Sequence, residues 1–373
     1  MTTLTRSRTQ AHTRTLLAPD TIRADWWHAL PDGRFECDLC PRACRLRPGQ
    51  RGFCFVRDAD PDGLRLTTYG RASGFCIDPI EKKPLNHFFP GSSVLSFGTA
   101  GCNLGCRFCQ NWDISKVRTA DRLTDFAAPE RIAETAAQYG CRSVAFTYND
   151  PVIFAEYAID CALAAHEAGV RTVAVTAGYM NAEPRAEFYR HMDAANVDLK
   201  AFDEGFYRRQ CLGELAPVLE TLSWLHRETD VWLEVTTLLI PGLNDTPAEI
   251  GRLCDWFLAH LGPEVPLHFT AFHPDFNLLD VAPTPTATLR RARRQARAAG
   301  LQFVYTGNIH DPEGQTTVCP ACDQSLIGRD GYEITAWQLT PAGHCGGCGT
   351  PLPGRFEAEA GRWGSRRQRV RVG

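Results

Sequence analysis

The chain has 373 residues, with 40 Lys and Arg against 43 Asp and Glu, a net charge of −3 and 44% hydrophobic residues. That balance excludes a disordered chain and leaves no large electrostatic footprint for nucleic acid. No stretch reaches the ~18 uninterrupted apolar residues of a membrane helix, and the start lacks a secretory apolar core, so a cytoplasmic protein without membrane contact is expected.

In chain order, residues 1–25 are rich in Thr and Arg and read as a flexible amino terminus, although such a start also fits a transit peptide. Residues 26–80 form a cysteine-rich module. There Cys37, Cys40, Cys44 and Cys54 lie among Pro, Gly and Arg in the spacing C-x2-C-x3-C-x9-C, which suits zinc, a second four-iron cluster or no metal. Cys76 or His87 could join such a ligand set.

Residues 81–312 alternate short β-branched or apolar runs with helical stretches, the rhythm of parallel β/α units. The predicted strands are Val94–Phe97, Ser143–Tyr148, Thr172–Ala177, Asn196–Ala201, Val231–Ile240 and Leu267–Phe272, with a last one at Phe303–Thr306. Six or seven such strands predict an α/β fold with an open or partial barrel. Between them Ile153, Tyr157, Cys161 and Ala164 make one helical stripe to lay against a sheet. Asp150-Pro151 reads as a helix cap followed by a first-turn proline. Alternate strand residues are polar: Ser143 and Thr147; Thr172 and Thr176; Asn196, Asp198 and Lys200; Glu234 and Thr236; His268 and Thr270. Since alternate residues share a face, this parity predicts a polar lumen, the other account being polar strand ends and internally paired charges.

Residues 313–373 carry Cys319-x2-Cys322 and Cys345-x2-Cys348, two knuckles 22 residues apart with β-type residues between them. They read as a zinc-ribbon-like module, with a rubredoxin-like iron as the alternative. The Arg-rich end, Arg362 to Arg371, reads as a solvated tail.

Sixteen cysteines without an export signal are poorly explained by disulfides, which reducing compartments do not sustain. Metal is the better account for the grouped ones. Cys141, Cys161, Cys211 and Cys254 stand singly among apolar or helical residues and read as plain packing.

The third group directly follows the first strand of the β/α region: Gly101-Cys102-Asn103-Leu104-Gly105-Cys106-Arg107-Phe108-Cys109, a C-x3-C-x2-C run in a Gly-containing loop. Three thiolates are thereby presented at the carboxyl end of a parallel strand, where α/β barrels place their sites. A four-iron cluster held by three cysteines leaves one iron open to substrate or cofactor, and glycines let the backbone wrap around the cube. Zinc would want a fourth Cys or His nearby, and none follows within ten residues of Cys109.

At these residues the sequence resembles the radical S-adenosylmethionine (SAM) superfamily, with an aromatic residue, Phe108, before the last cysteine. It is most similar to the branch of pyruvate formate-lyase activating enzymes, and within it to the radical SAM member of the AmmeMemoRadiSam system. The segments that carry the likeness are Cys40-Pro41-Arg42, Gln110 to Lys116, Phe146 to Pro151, Asn196 to Phe202, Leu239 to Asp245 and His268 to Pro274. Together they span roughly residues 35–350.

The resemblance implies a partial (βα)6-type radical SAM barrel and an oxidoreductase-type enzyme whose [4Fe-4S] cluster cleaves SAM reductively. The resulting radical abstracts a hydrogen atom from a substrate, while the protein positions the reactants and excludes water. By the same resemblance Cys102, Cys106 and Cys109 bind the cluster, and Phe108 packs near the adenine. Asn149 and Asp150 lie where relatives meet the SAM amino group, with Asp150 standing in place of the more usual Glu. Thr176, Asp198 and Lys200 align with strand ends that contact SAM, and His273 with a position near the ribose or carboxylate. Ala177 departs from the Asn often found there. Glu234 and His268 would address substrate from the lumen or pair with each other or with Lys200. The partners implied are a one-electron donor such as flavodoxin or ferredoxin and proteins of the Memo and AMMECR types. A glycyl-radical-enzyme activase is the rival within the class; a non-enzymatic iron–sulfur electron carrier is the rival outside it.

Overall fold

Short β-branched runs joined by amphipathic helices close into a single parallel path, because each helix lays its apolar stripe on the strand pair that it connects. The computed structural model describes residues 14–117 and 125–372. In the main sheet the strands are Arg71–Pro79 (β1), Ser93–Gly98 (β2), Ser143–Phe146 (β3), Arg171–Thr176 (β4), Ala194–Asp198 (β5), Trp232–Leu239 (β6), Leu267–Ala271 (β7) and Val304–Gly307 (β8). They neighbour one another in chain order. From β2 to β8 every pairing is parallel, whereas β1 pairs antiparallel with β2. The short strands Asp125–Phe126 and Gln368–Arg369 also join β1 antiparallel. The fold is therefore α/β with a mixed sheet.

The main helices are Pro129–Gln138 (α1), Ala155–Glu167 (α2), Ala182–Tyr189 (α3), Ala216–Glu228 (α4), Pro247–His260 (α5) and Thr286–Ala299 (α6). The predicted stripe of Ile153, Tyr157 and Cys161 is fully buried, but it continues at Ala165 rather than Ala164. Residue 153 belongs to the 3-10 turn Pro151–Phe154 that precedes α2. The predicted run to Tyr148 stops at Phe146, since Tyr148 takes a left-handed φ of 70° and Asp150 then caps that turn. No helix among the described residues is long and apolar enough to cross a membrane.

The amino-terminal region builds two small sheets. One contains Leu16–Ala18, Thr21–Arg23, Arg57–Asp60 and Gly63–Leu66; the other contains Trp27–Ala29, Phe35–Cys37 and Arg45–Leu46. Strands thus begin inside the segment expected to be flexible, because Ile22 buries itself and pairs with Leu66. Residues 1–13 of that segment lie outside the described residues. The region is fixed to the main sheet's helices by Arg57, whose guanidinium donates to the Glu156 carboxylate at 2.9 Å with both side chains buried.

The carboxyl-terminal region forms a three-stranded antiparallel sheet of Thr317–Val318, Ser325–Asp330 and Glu333–Trp337. The basic end is not simply solvated. Gln368 and Arg369 pair with Ile77 and Cys76 on β1, and Val372 is buried, so one apolar side chain and a strand edge hold the tail down. Two side chains considered as extra ligands for the first cysteine group are placed elsewhere. Cys76 sits on β1 against Asp78, and the buried His87 ring hydrogen-bonds Tyr305 and the Pro353 carbonyl.

Candidate metal centre

The loop after β2 carries Cys102, Cys106 and Cys109 and is tied down on three sides by hydrogen bonds. Asn149, on the turn after β3, accepts from Thr99 N–H at 3.0 Å and donates its side-chain amide to the Gly101 carbonyl at 2.9 Å. Asn103 donates to the Tyr179 carbonyl at 2.9 Å, which ties the loop to the segment after β4. Gly105 and Arg107 donate to the carbonyls of Cys211 and Gln210 at 2.8 and 2.9 Å. Gly105 has a packing reason to be glycine: a Cβ there would fall 2.5 Å from the Leu212 side chain.

The three sulfurs do not all lie within 4.8 Å of one another. Among the described residues, the groups of three or more metal-ligating side chains whose ligand atoms all lie within 4.8 Å are the carboxyl-terminal cysteine quartet and exposed His28 with Glu36 and Asp38. The loop cysteines nonetheless feel one another's charge and that of Lys116. A wide trio of donors with a cation beside it fits a polynuclear group ligated by thiolates better than a single ion. Orphaned polar atoms lie on the flanking segments: Gln110 Nε2, Gln210 Oε1 and, opposite Asp198 in register, Thr236 Oγ1 are buried without a hydrogen-bond partner.

The thiols are tuned differently. Burial, then the Asp150 carboxylate, pushes Cys102 up to about 12, and burial raises Cys109, whose sulfur lies 3.1 Å from the Ser115 hydroxyl. Cys106 is lowered, first by a hydrogen bond from the Cys211 thiol and then by Lys200 and Lys116 against the cost of burial. Lys116 also donates to the Leu104 carbonyl at 2.9 Å, across the loop.

The other predicted residues divide into those that face this loop and those that are spent on structure. Asp150 accepts from Thr176 Oγ1 at 2.8 Å, Ala177 N–H at 3.0 Å and Val152 N–H at 3.1 Å, so its carboxylate both caps the turn and clamps the end of β4. Phe108 is buried against Phe206, ring centroids 5.6 Å apart. Asp198 and Lys200 form a 3.0 Å ion pair just past β5. Burial works to lower the Lys200 ammonium, but Asp198 and Cys106 outweigh it and hold it well above its ordinary value. His273 is exposed, with its ring 3.4 Å from the Pro274 carbonyl. Its loop still reaches the site, as Asn277 N–H donates to the Arg107 carbonyl and the Trp112 indole donates to Asp275 at 2.8 Å. Glu234 and His268 pair with each other at 2.6 Å rather than with Lys200. Despite burial, which raises it, the Glu234 carboxyl is held below its ordinary range by His268.

Three contributors escaped the sequence reading. Lys116 and Ser115 stand in a segment that had been singled out, but without roles of their own. Cys211, read as packing, is indeed buried, yet its thiol hydrogen-bonds Cys106. No spacing rule links positions so far apart in the chain.

At the other end of the molecule Cys319, Cys322, Cys345 and Cys348 converge, with Sγ separations of 3.6 Å (Cys319 to Cys348) and 3.7 Å (Cys322 to Cys345). A tetrahedral ion with bonds of ~2.3 Å to four sulfurs has edges of about 3.8 Å, so this quartet has single-ion spacing.

The Radical SAM superfamily model matches residues 97–256. The "Uncharacterized protein MJ0808" of Methanocaldococcus jannaschii is 40% identical over 306 residues, covering 82% of this chain and 91% of its own. Among solved structures, a radical SAM methyltransferase from Sphaerobacter thermophilus is similar with a TM-score of 0.48 at 16% identity, over 64% of this chain and 71% of the other. Streptococcus suis SuiB bound to S-adenosylmethionine gives 0.47 at 14% identity, over 62% and 53%.

Proposed function

Since the chain belongs to the Radical SAM superfamily, which implies SAM and an iron–sulfur cluster, we propose that Cys102, Cys106 and Cys109 hold a four-iron cluster used for reductive cleavage of SAM. The observation that carries this reading is the wide thiol trio beside Lys116 and Lys200, on a loop at the carboxyl ends of the parallel strands. When bound, the cluster would supply one electron to the sulfonium of SAM, breaking its bond to C5′ so that methionine leaves and the adenosyl radical can take a hydrogen atom from substrate.

The chain's own residues bind, orient and shield. Asn149 and Asn103 hold the backbone of the loop that carries the three sulfurs. Lys116 and Lys200 favour the thiolate forms of the ligands. The Asp150 clamp sets the end of β4 against the turn after β3, leaving backbone groups there to receive the amino acid end of SAM. Phe108 on Phe206 closes one wall against water. A cavity of about 360 Å³ lined by His268, Thr270, Thr306, Glu81 and Arg329 is the room we assign to substrate. We read β2 to β8 with their helices as the partial barrel of the superfamily, and the carboxyl-terminal quartet as structural zinc.

Quantifying 5′-deoxyadenosine from anaerobically reconstituted, reduced protein tests the reading. Release that disappears in Cys106→Ala is expected; no release above that variant would refute it. The finer placement in the AmmeMemoRadiSam system rests on the segments from Cys40-Pro41-Arg42 to His273-Pro274, and predicts that Memo-type or AMMECR-type proteins co-purify with the chain. A flavodoxin or ferredoxin is proposed as the electron donor, and the cytoplasm as the compartment.

A further inference from the structure

The amino-terminal cysteines do not share the spacing of the carboxyl-terminal quartet. Cys37 ends one short strand, and Cys40 and Cys44 sit on the turn that follows, closed by Ala43 N–H on the Cys40 carbonyl at 3.1 Å and Cys37 N–H on the Cys44 carbonyl at 3.0 Å. Cys54 reaches the same place from the next loop. All four line one small cavity of about 20 Å³, together with Leu39, Leu46 and Ile153. None of the four is in a disulfide. Gly52 forms part of the wall between two of them: a Cβ there would sit 3.8 Å from both the Cys44 and the Cys54 sulfurs. The four sulfurs do not all lie within 4.8 Å of one another, whereas those of the carboxyl-terminal quartet do. Four thiols spaced more widely than the single-ion quartet suit the donor set of a cube better than that of one tetrahedral ion.

This cavity adjoins the loop of the first centre. Asn103, the neighbour of Cys102, lines it. The Cys54 carbonyl oxygen lies 1.9 Å from where a Cβ on Gly101 would be, so the residue before Cys102 is in backbone contact with a cysteine of the quartet. Arg42, two residues after Cys40, donates to the carbonyls of Asn103 and Leu212 and fastens the two loops together.

We propose that Cys37, Cys40, Cys44 and Cys54 hold a second [4Fe-4S] cluster, which relays single electrons to the cluster on Cys102, Cys106 and Cys109. An external low-potential carrier of the flavin or iron–sulfur class is oxidised by one electron, the second cluster is reduced by it, and the electron passes on; no bond is made and no proton moves. The relay role rests on the proposed function; the metal assignment does not.

Iron and sulfide are counted in anaerobically reconstituted full-length protein and in the triple variant Cys102→Ala, Cys106→Ala, Cys109→Ala. About eight iron per chain are expected in the wild type and about four in the variant, with the signal of a reduced cubane retained. Iron absent from the triple variant, or replaced by a second zinc per chain, overturns the assignment. Mössbauer spectra of the wild type give an answer even where the variant does not fold: two cubane populations, of which SAM perturbs one, are expected, and a single population overturns the proposal. Two populations without any 5′-deoxyadenosine would sink the radical reading alone. For the relay, Cys37→Ala with Cys54→Ala is expected to lose SAM cleavage driven by reduced flavodoxin while keeping cleavage driven by dithionite; loss of neither refutes the relay.

Discussion

Asn149 donates its side-chain amide to the Gly101 carbonyl at 2.9 Å while accepting from Thr99 N–H at 3.0 Å, so a residue on the turn after β3 fixes the backbone immediately before Cys102. The position that the resemblance assigns to the SAM amino group therefore has its side-chain amide committed to loop geometry, and Asp150 beside it has its carboxylate committed to Thr176, Ala177 and Val152.

Asn149→Ala should leave the Thr99 N–H and the Gly101 carbonyl unpaired, at a cost of about 1–3 kcal/mol for each group left unsatisfied. The expected outcome is a folded protein whose iron is stripped by chelator faster than in the wild type. Iron retention indistinguishable from wild type would show that the loop does not need this tether.

Cys211→Ala removes the thiol that hydrogen-bonds Cys106 but no proposed ligand. Hydrogen bonds to ligating sulfur make a cluster easier to reduce, so the variant should keep its iron and show a more negative reduction potential. Loss of iron in this variant would instead make Cys211 a ligand.

Glu81 is buried with Oε2 unpartnered, and burial raises its carboxyl from 4.5 to about 7. Below pH 4.5 the folded and unfolded states are both protonated and nothing is lost. Between there and about 7 the unfolded chain releases its proton while the folded chain keeps it, so this group's contribution to stability falls as pH rises and then levels off. The total is on the order of 3 kcal/mol. Denaturation midpoints of Glu81→Gln relative to wild type should rise across pH 5–7 and stay flat above; a constant difference contradicts the buried, protonated carboxyl.

Cys348→Ser should remove about one zinc per chain and unfold the carboxyl-terminal sheet, since a structural zinc contributes on the order of 10 kcal/mol. Limited proteolysis would then cut between residues 317 and 360 while the main sheet resists. Full metal content in this variant would mean that the quartet is not the zinc site.

Much of the fold was legible, because each β/α unit is announced by local periodicity. The seven parallel strands from β2 to β8 match the predicted runs to within a few residues. The antiparallel edge was not: β1 and the strand Gln368–Arg369 are separated by most of the chain, and nothing local in a basic tail says that it will find a strand edge. The partial polar parity of the strands was visible, but whether it made a binding room or paired charges was not. Glu234 and His268 closed on each other, as did Asp198 and Lys200, while Thr236 Oγ1 stayed unpartnered.

The cysteine groups show where that boundary falls. Spacing along the chain fixes which thiols can share a loop, because a few residues of backbone cannot spread far; hence the trio 102, 106 and 109 and the two carboxyl-terminal knuckles are legible without coordinates. It could not determine how far apart the sulfurs sit, which depends on turns, on Gly52, and on what packs behind them. It took the folded chain to close one quartet to single-ion spacing, to hold the other more widely beside Gly101, and to bring Cys211 to Cys106, because those separations are set by contacts between segments remote in the chain.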